Sequence, residues 1–440
     1  MRTLLIYPRF QWAEHGQLQE PLGILQIASV LTGHGHEVRF LDFTHEQNLD
    51  RLEDQVAWAD AAGMTVSSVL FNRAIFILKN IKQSRPDLPV IAGGPHPTAD
   101  PEGTLRAGFD FAVVGEGEQS AVELFRSLEN NNGGTGIAGV WTIKDRKLVP
   151  AEPRALIPDL DTIPFPTREL LDYKTYLKTG MLQVGFCLSR GCPFSCKFCK
   201  PMQDMLFGKK LRKRSPESVA EEIDRAVALT GHNFLLFRDD CLFALKREWF
   251  ERFRKELEAR RLKIAFSGQT RVSDMDEDTL VLLKSIGLVG LAFGVESGSQ
   301  KIVDYYRKNF KVEQSHKAFE LCHKHGIGTH CFIILGAPEE TPEDVAKTVE
   351  LVRRLKPESI TISRLTPAPG TYLHQEHLAA GILNDVSWEE WDFYKNRSPI
   401  KLKYLSEEDL MRAENELRAM VAGSVLYPRR EILGCDQIGK

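Results

Sequence analysis

The chain alternates short apolar segments with longer segments in which apolar residues recur every three or four positions. In the first third, five apolar segments predict strands: Thr3–Tyr7, Val38–Leu41, Met64–Val66, Val90–Ala92 and Phe111–Val114. The stretches between them, such as Pro21–Leu31, carry apolar residues at helical spacing. Alternating strands and helices predict a parallel sheet with helices on both faces. We therefore expect a flavodoxin-like, doubly wound α/β domain over residues 1–135.

The same alternation resumes after a proline-punctuated connection. Six further strands are predicted, at Met181–Leu188, Phe234–Phe237, Ile264–Phe266, Val289–Phe293, Thr329–Leu335 and Ile360–Ser363. Six consecutive strand–helix units predict a partial (βα)6 barrel over residues 181–370. Residues 136–180 are predicted to be a linker with a small hairpin, and residues 371–440 a helical extension over the open side of the barrel.

Small and polar residues follow the predicted strands, at the edge where α/β folds bind ligands. In the first domain the candidates for ligand contact are Thr65, Ser67, Ser68, Gly93, Gly94, Pro95, His96, Gly115, Glu116 and Gly117. In the barrel they are Asp239, Ser267, Gln269, Arg271, Glu296, Ser297, Leu335 and Gly336. The residues alone do not distinguish ligand-binding loops from tight turns. Neither the GxGxxG nor the GxxxxGK[ST] phosphate motif occurs in the first domain.

Three cysteines lie together after the first barrel strand. Cys192, Cys196 and Cys199 form a C-x3-C-x2-C loop, and thiolates favour zinc, copper(I) or iron–sulfur. Structural zinc normally takes four ligands, and no second CxxC pair completes such a site. Three thiolates fit three irons of a [4Fe-4S] cluster and leave the fourth iron open. Zinc and unrelated thiols are the alternatives.

Composition narrows the class of protein. The 440 residues include 57 Lys and Arg against 60 Asp and Glu, so no global basic field indicates a nucleic-acid partner. No apolar run reaches the length of a membrane span. Eight cysteines without a recognisable secretion signal indicate a reducing, cytoplasmic location.

With these motifs in view, residues 181–370 resemble the radical S-adenosylmethionine (SAM) core. The likeness rests on the three cysteines, on Phe198 before the third, and on the segments GVESG and ILGAPEE. The first domain, with PLGILQIASVL, GGPHPT and VVGEGE, and the linker IPDLDTIPFPTRELLDY resemble class B, cobalamin-binding members of that family. The resemblance implies three cofactors: a [4Fe-4S] cluster, SAM and cobalamin. Because DxHxxG is absent, we expect cobalamin without a protein histidine on cobalt.

The resemblance also implies a reaction. The reduced cluster would cleave SAM to a 5′-deoxyadenosyl radical, which abstracts a substrate hydrogen, and methylcobalamin would then methylate an unactivated carbon. Ring formation or rearrangement with the same cofactors is an alternative, and a redox sensor without turnover is another. The implied partners are a small-molecule or lipid substrate and a low-potential electron donor such as flavodoxin or ferredoxin.

Individual residues acquire implied roles in the same way. Asp239 would lie near the SAM amine, Arg271 near its carboxylate, and Glu296 and Ser297 near carboxylate or ribose. Leu335 and Gly336 would pass close to adenine. The corrin would rest on Thr65–Ser68, with the two glycine-rich loops beside it. No residue is assigned as a general base or hydrogen donor.

Overall fold

The computed structural model describes residues 1–9, 19–44, 49–178, 183–383 and 399–421. The first unit is a seven-stranded sheet in the order β2-β1-β3-β4-β5-β6-β7. Its strands are β1 (Arg2–Tyr7), β2 (Glu37–Asp42), β3 (Ala61–Thr65), β4 (Val90–Gly93), β5 (Phe111–Val113), β6 (Val140–Lys144) and β7 (Lys147–Val149). The first five are parallel in the flavodoxin-like order, as predicted. The predicted hairpin is β6–β7, and it extends this sheet antiparallel to β5.

Helices cover both faces of this sheet. They are α1 (Leu22–Gly33), α2 (Asp50–Trp58), α3 (Phe71–Ser84), α4 (Pro95–Ala99), α5 (Pro101–Arg106) and α6 (Gly117–Glu129). Successive side chains of a strand point to opposite faces. Leu4 and Ile6 therefore pack in the core beneath α2 and α3, and Leu5 in the core beneath α1 and α6.

The second unit is a six-stranded sheet, parallel throughout, with neighbours in chain order. Its strands are β8 (Val184–Phe186), β11 (Phe234–Phe237), β12 (Ala265–Thr270), β13 (Leu288–Glu296), β14 (Gly328–Leu335) and β15 (Ser359–Arg364). A two-stranded ribbon, β9 (Ser189–Arg190) with β10 (Arg212–Lys213), follows β8. This is the predicted (βα)6 arrangement. Of the first predicted strand, residues 181 and 182 lie outside the described residues.

The helices of the second unit follow its strands. They are α8 (Met202–Phe207), α9 (Pro216–Thr230), α10 (Arg247–Ala259), α11 (Glu277–Ile286), α12 (Gln300–Tyr305), α13 (Glu313–Lys324), α14 (Pro342–Leu355), α15 (Tyr372–Ala379) and α16 (Glu407–Ala419). Ser215 caps α9 as predicted, and Thr341 forms a capping box with Asp344 at α14. Helix α16 packs Leu410 and Leu417 into the barrel core beside α14 and β15, and so covers the edge strand.

Two strands are longer than their apolar residues predicted. The prediction ended β12 at Phe266, but the strand continues to Thr270, so Ser267 and Gln269 lie within it. The prediction ended β13 at Phe293, and that strand continues to Glu296. Hydrogen bonds to the neighbouring strands sustain both extensions, and an apolar pattern does not record them.

A buried ion-pair network joins the linker to both units. The linker, which also contains α7 (Tyr173–Lys178), carries Arg168, whose guanidinium pairs with Glu20 ahead of α1 and with Glu222 on α9. Arg168 also donates to the carbonyl of Gly185 on β8 at 2.9 Å. Because an unpaired buried charge is costly, each partner holds the others in place. No helix in the described residues has the length and apolar content to cross a membrane.

Candidate active site

A cavity of about 560 Å³ lies between the two units, at the carboxyl ends of their strands. The first unit contributes residues at the ends of β1, β3, β4 and β5, including Tyr7, Met64, Gly93 and Val113. The second contributes Cys187, Ser189, Arg190, Gly191, Arg238, Asp239 and Asp240, at the ends of β8 and β11. Gly191 immediately precedes Cys192, so the cavity reaches the cysteine loop.

Seven of the ten candidates in the first unit line this cavity. They are Thr65, Gly93, Gly94, Pro95, Gly115, Glu116 and Gly117. The other three, Ser67, Ser68 and His96, are not part of its wall. The His96 ring is fully buried, its Nδ1 lies 2.9 Å from Ser68 Oγ, and it packs on Phe71. Burial lowers the pKa of His96 to about 4. No histidine of the described residues lines the cavity.

The glycines leave backbone accessible in the cavity wall. Gly94 has φ +106°, and a Cβ there would lie 3.1 Å from the carbonyl oxygen of Val66. At Gly93 the nearest atom to an added Cβ would be Val113 Cβ at 3.9 Å, which leaves room. A ligand can therefore approach the main chain of this loop closely. A wall of exposed glycine backbone fits a large flat cofactor such as a corrin. A turn whose side chains were fully packed would leave no room for it.

Glu116 is held by cations of the other unit. Its carboxylate accepts from Arg190 at 2.8 Å and Arg212 at 2.9 Å, and from the N–H of Ile157 at 2.8 Å. Burial alone would raise the pKa of Glu116, but these hydrogen bonds lower it below its ordinary value. Glu118 pairs with Arg190 at 2.6 Å as well. The acidic residues of the VVGEGE segment thus fasten the first unit to the strands that flank the cysteine loop.

Glu116→Ala is expected to lower the free energy of unfolding by about 3 kcal/mol, because it leaves Arg212 and part of Arg190 unpaired in a largely buried place. Urea denaturation followed by circular dichroism measures this. Glu123→Ala is the matched control, since Glu123 lies on α6, is half exposed and pairs with Arg154. That change should cost about 1 kcal/mol or less. Equal losses for both variants would contradict the fastening role.

The cysteine loop runs between β9 and α8 and is tightly constrained. Gly191 has φ +93°, and a Cβ there would lie 2.4 Å from the carbonyl oxygen of Lys210. The N–H groups of Cys199 and Lys200 both donate to the carbonyl of Cys196, at 3.1 and 3.0 Å. Lys200 Nζ donates to the carbonyl of Cys192 at 2.8 Å. The three thiols are thus carried on one folded loop.

Cations near these thiols oppose part of the effect of burial. Burial raises the pKa of Cys192 and of Cys199, and the nearby ammonium of Lys308 opposes that rise at Cys199. Arg271 Nη1 lies 3.5 Å from Cys196 Sγ. Iron binds thiolates, and positive charge close to the sulfurs favours that state. The donor set therefore fits an iron–sulfur cluster.

The thiols are not gathered around one point. Across the described ranges, no group of three or more His, Cys, Asp or Glu side chains is placed to hold a single metal ion. A mononuclear zinc site needs all its sulfurs about 2.3 Å from one atom. In a [4Fe-4S] cluster each thiolate binds a different iron, so its ligands stand further apart.

Five of the eight barrel candidates fall into two groups. Asp239, Arg271 and Glu296 bond to the cysteine loop or to residues beside it. Asp239 accepts from the N–H of Leu188 at 3.0 Å and from the Ser189 hydroxyl. Burial raises the pKa of Asp239 to about 6. Ser267 and Ser297 instead make structural hydrogen bonds, Ser267 with Gln183 and Ser297 with Thr348 at 3.0 Å.

The guanidinium of Arg271, which was expected near the SAM carboxylate, contacts residues of the cysteine loop and its neighbours. It lies 3.9 Å from the Phe194 ring centre and donates to the carbonyl of Lys308. Gln269 is half-buried on the same strand. Leu335 packs in the helix-facing core, and Gly336, with φ +91°, begins the loop after β14.

Two functional candidates were missed from the sequence. Lys308 is buried and pairs with Glu296 at 2.8 Å, and a Cβ on Gly294 would collide with both side chains. Glu340 accepts from the N–H groups of Gly336 and Ala337, at 2.6 and 3.2 Å, and burial raises its pKa to about 7. In the sequence, the only sign of the Lys308–Glu296 pair is Gly294, the first glycine of GVESG. The only sign of Glu340 is its place as the last residue of ILGAPEE.

Family models match each of the two units separately. The family model described as the radical SAM superfamily matches residues 186–352, and the B12 binding domain matches residues 11–125. An uncharacterized methyltransferase of Pyrococcus horikoshii is 30% identical over 424 residues, covering 94% of this chain and 90% of the relative. An anaerobic magnesium-protoporphyrin IX monomethyl ester cyclase of Rubrivivax gelatinosus is 31% identical, covering 86% of this chain and 70% of that one.

A solved structure shares the fold across both units. The radical SAM methyltransferase TsrM from Kitasatospora setae, solved with cobalamin and a [4Fe-4S] cluster, has a TM-score of 0.75 at 20% identity. The match covers 98% of this chain and 92% of that one. Together with the cavity and the cysteine loop, these relatives show that the chain belongs to the class B, cobalamin-binding branch of the radical SAM superfamily.

Proposed function

We propose that this enzyme transfers a methyl group to an unactivated carbon of a small-molecule or lipid substrate. One observation carries the proposal: a single cavity has the ligand-binding edge of a B12-type sheet as one wall and the approach to the cysteine loop as the other. A substrate held there would meet both cofactors. When bound, the cluster with SAM supplies hydrogen abstraction, and cobalamin supplies the methyl group.

The residues of the chain have distinct tasks in this proposal. Cys192, Cys196 and Cys199 hold three irons, and Arg271 and Lys308 offset the negative charge of the sulfurs. Asp239 ties the end of β11 to the segment before the loop, so that strand and loop keep a fixed spacing. We place SAM against the β12–β14 strand ends, where Gln269, Glu296 and Gly336 lie. Fixed spacing matters because reacting groups must stay aligned and water must stay out.

The first unit would hold the corrin. Gly93 and Gly94 expose main chain to it, with Thr65, Pro95, Gly115 and Gly117 around it. The Glu116–Arg190 and Glu116–Arg212 pairs fix the distance between the corrin wall and the cysteine loop. We also propose that a low-potential electron donor such as flavodoxin or ferredoxin reduces the cluster.

A second candidate function is ring formation. It is favoured by the 31% identity to a protein named as a cyclase, which is as similar in sequence as the relative named as a methyltransferase. Both reactions use the same cofactor set, and the fold does not separate them.

One assay tests the proposal without knowledge of the substrate. Protein reconstituted anaerobically with iron, sulfide and hydroxocobalamin is incubated with SAM and dithionite, and the products are separated by liquid chromatography. A methylase should release S-adenosylhomocysteine as SAM remethylates the cobalamin, together with 5′-deoxyadenosine from slow uncoupled cleavage. 5′-Deoxyadenosine alone would favour the cyclase, and neither product would mean a sensor. The Cys196→Ala variant is the control for 5′-deoxyadenosine.

A further inference from the structure

A group of exposed lysines lies directly behind the cysteine loop. Lys209, Lys210 and Lys213 are all exposed, and none forms an ion pair within the described part of the chain. The apolar side chain of Met205, on α8 four residues before Lys209, is 40% exposed. We name these four residues the basic face. The carboxylate of Asp161 accepts from the N–H of Ser215 and forms no ion pair with these lysines.

The basic face is connected to the cysteine loop through the main chain. The carbonyl of Lys210 lies against Gly191, at 2.4 Å from where a Cβ would stand. The N–H of Cys192 donates to the carbonyl of Gly208 at 3.4 Å. Lys213 lies on β10, which pairs with Ser189 on β9. The lysines are therefore one layer of backbone away from the first cluster cysteine.

On the other side of the loop two cations share one carboxylate. Lys197 pairs with Glu376 at 2.7 Å, and Arg307 lies 3.8 Å from the same carboxylate. The lysines of the basic face, in contrast, have no carboxylate partner in the described residues. An apolar residue rimmed by like charges is a common composition for a transient protein contact, since the charges steer the encounter.

We propose that the basic face is the docking surface for an acidic electron-transfer protein that reduces the cluster. The inference rests on the proposed function, because only a redox cluster in the cysteine loop needs an electron at this place. The step is a one-electron transfer: the donor is oxidised by one electron, the cluster is reduced by one, and no proton or group moves. A negatively charged donor surface complements the lysines, and the short backbone path leads to Cys192.

The test uses flavodoxin as the probe and three forms of the protein. The variant Lys209→Glu/Lys210→Glu/Lys213→Glu reverses the basic face. The control Lys144→Glu/Arg146→Glu/Lys147→Glu makes the same change of charge at the exposed β6–β7 turn. Stopped-flow absorbance measures cluster reduction by flavodoxin hydroquinone at low ionic strength. Fluorescence anisotropy measures binding of labelled oxidised flavodoxin to protein without cofactors.

We expect the basic-face variant to lose at least about tenfold in both the second-order rate constant and the affinity, as for steered association. The control should stay within about threefold of the wild type, and dithionite should reduce all three alike. Unchanged flavodoxin kinetics and affinity in the basic-face variant would overturn the proposal. So would loss of affinity for a single-stranded RNA oligonucleotide without loss for flavodoxin. Failure of dithionite to produce any cluster signal would instead refute the proposed function.

Discussion

Replacing Cys192, Cys196 and Cys199 together by Ala is expected to reduce bound iron from about four atoms per chain to background, because no thiolate remains to hold a cluster. Cleavage of SAM should fall at least about 1,000-fold, to the detection limit, since no electron reaches the sulfonium. Iron is measured colorimetrically after anaerobic reconstitution, and 5′-deoxyadenosine by mass spectrometry. Each single variant should lose most of its cleavage activity as well, since the three thiols bind different irons.

Cys322→Ala is the matched control for the cysteine variants. Its thiol is fully buried in the core beneath α13, away from the loop, and burial raises its pKa to about 12. Removing one buried sulfur should cost about 1 kcal/mol of stability and leave iron content unchanged. A triple variant that still held about four irons and cleaved SAM would disprove the cluster assignment.

The pattern of apolar residues was sufficient to predict the architecture. Parallel strands buried on both faces appear as short apolar runs, and apolar residues of helices recur every three or four positions, so the parallel strands of both sheets were predicted in chain order. The hairpin β6–β7 was predicted as part of the linker and not as part of the first sheet. The errors lie where polar residues continue a strand, as at Ser267 in β12. There the hydrogen bonds to neighbouring strands determine the structure, and they are invisible along a single chain.

The site was predicted less completely, for a related reason. The cysteines were found because three ligands fall within eight residues of chain. Glu116 was predicted as a cofactor contact because it follows a strand, but its partners Arg190 and Arg212 lie more than 70 residues away. The Lys308–Glu296 pair could not be predicted either, because the sequence around a loop lysine does not indicate that its side chain is buried. Long-range pairing of charges needs the fold, and no spacing rule supplies it.

The corrin site can be tested where the backbone is not strained. A substitution at Gly94 would not be a clean test. Its φ of +106° strains the backbone of any residue other than glycine, whether or not a ligand binds. Gly93 has no such constraint, lines the cavity and has 3.9 Å of clearance at the Cβ position. Gly93→Trp should therefore leave the fold intact and fill the space that we assign to the corrin.

Wild-type protein reconstituted with hydroxocobalamin and then desalted is expected to retain about one cobalamin per chain, and Gly93→Trp to retain less than about a tenth of that, because an indole occupies the corrin position. Absorbance after desalting measures both. Gly33→Trp is the control, since Gly33 is exposed at the end of α1 with no atom within 4 Å of an added Cβ, and it should retain the cofactor fully. Reduced, bound cobalamin should show no nitrogen splitting from a protein imidazole in its electron paramagnetic resonance spectrum, because the sequence lacks the DxHxxG motif. Folded wild-type protein that retains no cobalamin would refute the site, and the proposed methyl transfer would fail with it.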